Sequence, residues 1–148
     1  MIEVNYPEPS FKIKQDGGKS FLFDEIRKVW LLLTEEEWVR QNFVNYLIQQ
    51  LSYPSSLIAL EKELMLNGLK KRFDVLVYNK NHEPWMLVEC KAPGISLDDA
   101  ALQQVLRYNI SIPVLFLVIT NGKQTYGWRR TSGGVEQLRY LPLMEDEF

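Results

Sequence analysis

One cysteine, one histidine and no long apolar run are the first features of this 148-residue chain. A single thiol, Cys90, cannot close an intramolecular disulfide, which fits a reducing compartment. The longest apolar run, from Ile112 to Ile119, is only eight residues, far below the ~20 needed to cross a bilayer. The opening stretch MIEVNYPEPS lacks the basic-then-apolar order of a signal peptide. A one-sided charge is also missing. The net charge of -2 and pI near 5.5 leave no global basic footprint, so any DNA contact must use a local patch. These absences point to a soluble, cytoplasmic protein with no membrane partner. What is present is ordinary for one globular domain: 46% apolar and 24% charged residues.

No internal repeat or low-complexity linker divides the chain. Residues 1–33 read as an N-terminal extension, in which QDGGKS is a turn and FLFDEIRKVWLLL is compatible with strand or helix. Residues 34–148 read as the domain proper. TEEEWVRQNFVNYLIQQL is a helix: Thr34 can cap it, acids fill its first turn, and Val39, Phe43, Leu47 and Leu51 recur at helical spacing. SLIALEKELML and KKRFDVLVYN then pair as a hairpin about Asn67 and Gly68, and residues 84 to 91 form a third strand. Ser96 caps a second helix running to about Asn109, with Asp99 at its third position. IPVLFLVIT, a continuous apolar run, is a strand buried on both faces. NGKQTYGWRR and VEQLRYLPL flank the SGG turn as two more strands, and the acidic end MEDEF reads as a frayed tail. A helix crossing between the third and fourth strands requires parallel pairing, so the expected fold is α/β with a mixed central sheet flanked by helices.

Charge in the strand ending MLVECK needs an explanation. Glu89 and Lys91 lie two apart and share a face. If the NKNHEP connection closes symmetrically, so that residue 78 faces residue 85, Asp74 falls opposite Glu89, and cross-strand Cβ atoms are ~5 Å apart. Two carboxylates that close repel, and one is protonated unless a cation compensates. A divalent ion can do so, and hard oxygen ligands favour magnesium, with manganese as the alternative. The expected ligands are Asp74, Glu89 and the backbone carbonyl of Cys90, with Lys91 placed to orient an attacking water or offset developing charge. The simpler account is an Asp74–Lys91 ion pair on a solvated face. Against it, Leu76 and Leu87 share that face and imply partial cover.

Other residues carry two readings each. Lys70, Lys71 and Arg72 form the densest basic run; they are either a solvated hairpin corner or a phosphate-steering patch. Arg129 and Arg130 beside Trp128 could extend such a patch. His82 reads as a solvated turn residue, Cys90 as a buried structural thiol, and Trp38 as partly buried.

Asp74, a gap of fourteen residues, then Glu89-Cys90-Lys91 resembles the PD-(D/E)XK nucleases, and more narrowly the N-terminal nuclease domain of type I restriction enzyme R subunits. EEWVRQNFVNYL is similar to that family's opening helix, whose acid best matches Glu36, with Glu37 as the alternative. QVLRY is similar to its Gln-x-x-x-Tyr motif and adds Gln104 and Tyr108, which share one helical face. Phe73 stands where the motif's proline is usual. The resemblance covers residues 34 to 122. It implies a magnesium-dependent endonuclease domain in which Glu36, Asp74, Glu89, Lys91, Gln104 and Tyr108 are catalytic, Lys70, Lys71 and Arg72 contact DNA, and restriction-modification subunits or a separate motor are partners. The motor's Gly-x-x-x-x-Gly-Lys-Ser/Thr loop is absent, so the chain is expected to be either a fragment or a stand-alone relative. A non-cleaving DNA-binding or assembly module is the alternative.

Overall fold

The ambiguous segment before the first helix resolves as strands, because a tight turn interrupts it. In the computed structural model, which describes residues 1–66 and 68–144, β1 (Ile13–Asp16), β2 (Lys19–Asp24) and β3 (Val29–Leu32) form an antiparallel sheet. The Asp24 carboxylate makes the β2–β3 turn by accepting from the amides of Ile26 and Arg27, and Lys28 closes it at φ 57°. α1 (Glu35–Gln49) follows at once. The Thr34 hydroxyl accepts from the Glu37 amide, and Glu35, Glu36 and Glu37 oppose the helix dipole.

The remaining strands are β4 (Ile58–Leu66), β5 (Leu69–Tyr78), β6 (Pro84–Cys90), β7 (Phe116–Thr120), β8 (Thr125–Thr131) and β9 (Gly134–Gln137), with α2 (Asp99–Asn109) between β6 and β7. They form one sheet in sequence order, antiparallel except for the β6–β7 pair that α2 bridges. The mixed sheet expected from the helix crossover is therefore present. One face packs Val75, Val77 and Val88 against Phe43, Val44 and Leu47 of α1. The other packs Leu76, Leu87 and Ile119 against Leu102 and Leu106 of α2. β7 lies between both layers and is buried throughout, as its unbroken apolar run requires.

Two boundaries differ from expectation. α2 begins at Asp99, capped by Asp98, whose carboxylate accepts from the Ala101 amide. Ser96 stays outside because Leu97 must reach the core, where it is buried, and a charged carboxylate is the stronger acceptor at a helix start. β9 stops at Gln137 rather than continuing through the leucines. Leu138 and Leu141 instead fold back over Gly127, where an added Cβ would lie 3.3 and 3.4 Å from their methyl carbons. Gly68 has the positive φ expected of a tight hairpin turn; its neighbour Asn67 and the tail residues 145–148 lie outside the described residues.

Arg130 is a third correction. Rather than extending a basic patch, its guanidinium donates to the carbonyls of Ile110, Ile112 and Val114, tying the end of α2 to β8. Replacing Arg130 with Met removes the side-chain donor from the Ile110 and Val114 carbonyls, while the Val114 amide still bonds to Ile112, and should lower unfolding stability by ~1–3 kcal/mol. Urea denaturation followed by tryptophan fluorescence measures this; an unchanged midpoint contradicts the assignment.

Candidate functional site

The β5–β6 register runs through Val77↔Met86, Leu76↔Leu87 and Val75↔Val88. One further step sets Asp74 across from Glu89, as the hairpin arithmetic expects. Regular pairing gives way at this level, and the Cys90 amide donates to Asp74 Oδ2 at 2.8 Å instead. Strict alternation also slips, since Phe73 and Leu76 both lie in the core beneath α2 although they are three apart. On the neighbouring strand, between Leu60↔Val75 and Lys62↔Phe73, Glu61 adopts φ 48°. A non-glycine residue in that region costs ~1–3 kcal/mol and persists only where its surroundings hold it.

Those surroundings are ionic. The Arg40 guanidinium, rising from α1, is buried among acids: 2.7 Å from Glu37, 3.0 Å from Glu61, 3.1 Å from Asp74 and 3.6 Å from Glu36. Arg27, from the β2–β3 turn, reaches Asp24 at 2.7 Å, Glu61 at 3.3 Å and Glu37 at 3.6 Å. Gln41 donates to Asp24 and Glu37. Burial alone lowers the Arg40 pKa, but Glu37, Asp74 and Glu61 outweigh it and raise it. Burial likewise works against the charges of Asp24 and Glu61, yet hydrogen bonds and arginines hold both carboxyls below their usual range. Sequence inspection missed this network. Its signal was a charged Arg40 one turn before the buried Phe43 and Val44, where an amphipathic stripe should be apolar.

On the α2 side, Glu36, Glu89, Lys91, Gln104 and Tyr108 line one cavity of about 680 Å³, floored by Ile119 and flanked by further α2 residues. Five of the six expected catalytic residues thus share a cleft. Asp74 is not on its wall, but it touches Cys90 through the amide and acts electrostatically on Glu89. The helix acid facing the cleft is Glu36, which is exposed; Glu37 is buried and committed to Arg40 and Gln41. Burial, then Asp74, push the Glu89 carboxyl up to about 7; Lys91 opposes them and Glu36 adds to them. Arg40 neutralises Asp74 directly, whereas Glu89 has only a partial counterion in Lys91.

The basic run is divided by strand alternation. Lys70 pairs with Glu63 at 3.1 Å and Arg72 with Glu61 at 2.6 Å. Lys71 turns the other way, donates to the Tyr108 carbonyl at 3.0 Å and lies 4.4 Å above the Tyr108 ring, at the rim of the cleft. His82 is an exposed turn residue at φ 60°, and Trp38 stacks edge-on to Phe11. Arg129 lies over the Phe116 ring. The Cys90 thiol is buried and its pKa is raised well above normal, first by burial and then by Asp74, so it stays neutral and is a poor metal ligand. Among the described residues no three His, Cys, Asp or Glu side chains gather as a metal centre. The oxygens expected to hold a cation are those of Asp74 and Glu89 and the Cys90 carbonyl; both Asp74 oxygens already accept hydrogen bonds, Oδ1 from Arg40 and Oδ2 from the Cys90 amide.

Two outcomes follow. Arg40→Met strands Glu37 and Glu61 without their principal counter-charge and should cost ~3–5 kcal/mol in urea unfolding, with Arg40→Lys intermediate; a loss under ~1 kcal/mol contradicts the network. Glu89 has its folded pKa raised from 4.5 to about 7, so the folded state retains a proton that the unfolded chain has released. Its contribution is full below pH 4.5 and is lost as pH rises through about 7. The melting temperature should therefore fall between pH 5.5 and 8, by the equivalent of ~2 kcal/mol, and Glu89→Gln should abolish most of that fall. Superimposable pH profiles for the two proteins would exclude it.

Comparison with known proteins agrees with this architecture. No curated protein matches the chain. A solved fragment described as an HsdR subunit of a type I restriction enzyme from Vibrio vulnificus YJ016 is similar in fold, with a TM-score of 0.54 and 19% identity. The similarity covers 77% of this chain and 24% of that one, so this chain corresponds to about a quarter of that neighbour's length. The family described as Type I restriction enzyme R protein N terminus (HSDR_N) matches residues 35–142, from the first residue of α1 to beyond β9. The chain belongs to the family of type I restriction enzyme R protein N-terminal domains.

Proposed function

We propose that the chain is a PD-(D/E)XK-type, metal-dependent endonuclease domain that hydrolyses DNA phosphodiester bonds within a restriction-modification system. The observation that carries this reading is the under-compensated Glu89 carboxylate beside Lys91 in a cleft that also holds Glu36, Gln104 and Tyr108. Lys91 only partly offsets what burial, Asp74 and Glu36 do to this carboxylate, and oxygen donors of this kind suit magnesium or manganese. Asp74, Glu89 and the Cys90 carbonyl would hold the ion, which when bound would supply Lewis-acid polarisation of the scissile phosphate.

The chain's own groups divide the remaining work. The Lys91 ammonium orients the attacking water and offsets charge on the phosphorus oxygens. Glu36, exposed at the mouth of the cleft, acts through a water. Gln104 and Tyr108, one turn apart on α2, hold the backbone of the bound strand. Lys71, on the Tyr108 ring, supplies the phosphate contact that the ion-paired Lys70 and Arg72 supply less well. The cytoplasm, where restriction acts on incoming DNA, is the compartment this reading requires.

Plasmid nicking with and without magnesium tests the reading. Magnesium or manganese should convert supercoiled plasmid to open circle. Lys91→Ala should lower that rate by ~100-fold or more while changing DNA affinity little, because one contact among several is lost. Lys71→Ala should instead weaken binding and reduce its salt slope by about one charge. A chain that binds DNA but never nicks it in either metal is a non-cleaving DNA-binding or assembly module.

A further inference from the structure

Alternation in β2 sends Leu22 and Asp24 inward, where both are fully buried. Phe21 and Phe23 must therefore lie on the outer face of the small sheet. Register sets Phe21 between Lys14 and Leu32, and Phe23 opposite Trp30. The Phe23 amide bonds to the Lys12 carbonyl, which brings Lys12 to the same row. The rings of Phe23 and Trp30 meet edge to face at 5.3 Å. Lys14 Nζ stands 4.4 Å from the Trp30 centroid and Lys12 Nζ 5.6 Å from that of Phe23. Trp30 is 40% and Leu32 47% exposed.

The charge on this face differs from that of the basic run before Asp74. Lys70 and Arg72 are neutralised by Glu63 and Glu61, whereas no carboxylate pairs with Lys12 or Lys14 among the described residues. The one acid in this row of the sheet, Asp16, faces Lys19 at its far end. Aromatic rings interleaved with unpaired lysines fit one class of ligand best. Protein interfaces bury aromatics but are depleted in lysine. A single nucleic-acid strand offers a base to each ring and a phosphate to each ammonium. Exposed lysine–ring contacts are weak enough to be exchanged for such a strand.

We propose that the outer face of β1–β3 binds single-stranded nucleic acid, with bases stacked on Trp30 and Phe23 and phosphates held by Lys12 and Lys14. The site is separate from the cleft and needs no cleavage. It is fixed to the same body, because the β2–β3 turn is ion-paired through Arg27 to Glu37 and Glu61.

The test is fluorescence anisotropy of labelled 15-mers of deoxythymidine and of uridine, and of a 15-base-pair duplex, in EDTA so that metal-dependent cutting does not intervene. The intact chain should bind at least one single strand more tightly than the duplex, and the stronger of the two identifies DNA or RNA as the ligand. Trp30→Ala should weaken that binding about ten-fold or more, while Trp30→Phe keeps most of it. Lys12→Ala with Lys14→Ala should weaken it and flatten its salt dependence by about two charges. All three substituted positions are at the surface, and thermal melts check that the fold is retained. Failure of both single strands to bind overturns the proposal. So do affinities untouched by Trp30→Ala, which place the strand elsewhere, and equal binding of duplex. A dimer that Trp30→Ala dissociates, with no oligonucleotide bound, overturns it in favour of a self-interface.

Discussion

The position of one guanidinium sets much of what surrounds it. Arg40 is buried, and burying a cation is unfavourable unless its charge and donors are met. Three elements meet its charge and its two terminal nitrogens: Glu37 from α1, Glu61 from β4 and Asp74 from β5. A non-glycine residue at positive φ in β4 and the loss of alternation in β5 both occur where those acids reach Arg40. The distortion of the sheet and the ion network are thus one feature. Without the distortion Asp74 would continue an ordinary ladder; with it, the Asp74 carboxylate replaces a backbone partner of Cys90.

The charge balance of the site follows from the same arrangement. Arg40 faces Asp74, Glu37 and Glu61, whereas Glu89 lies on the cleft side with Lys91 as its nearest compensation. Two carboxylates brought together by β-hairpin register are therefore treated unequally. Asp74 is ion-paired to its arginine, while Glu89 is driven toward neutrality by burial and by Asp74. Such separation of two neighbouring acids is the pattern expected of a site that takes up a cation or a proton rather than one that merely fastens strands. Arg27 extends the network to the N-terminal sheet, so that the turn of β2 and β3 supports the same acids from outside the segment matched by the family.

Local chemistry made much of this legible in the sequence. Thr34 before three glutamates fixed the start of α1, and the apolar run ending at Thr120 fixed a strand buried on both faces. Counting back from the hairpin turn placed Asp74 against Glu89, because a period of two leaves little freedom once the turn is known. The rest was illegible because it depends on meetings between distant segments. Arg40 gathers acids from 3 to 34 residues away in the chain, and neither helical nor strand periodicity records which of them will be within reach. Lys70, Lys71 and Arg72 read as one basic patch, yet alternation gives two of them to glutamates and one to Tyr108. Ser96 looked like a cap because the motif ignores Leu97, whose burial keeps the chain extended for two more residues.

The unequal treatment of Asp74 and Glu89 is the central claim, and direct titration of the Glu89 carboxyl carbon by NMR tests it most directly. With the chain labelled at glutamate side chains and Glu89→Gln used to assign the resonance, the metal-free midpoint should fall near 7. Magnesium should move it down, because a bound cation favours the ionised form. A midpoint near the ordinary 4.5 that does not respond to magnesium or manganese would contradict the account.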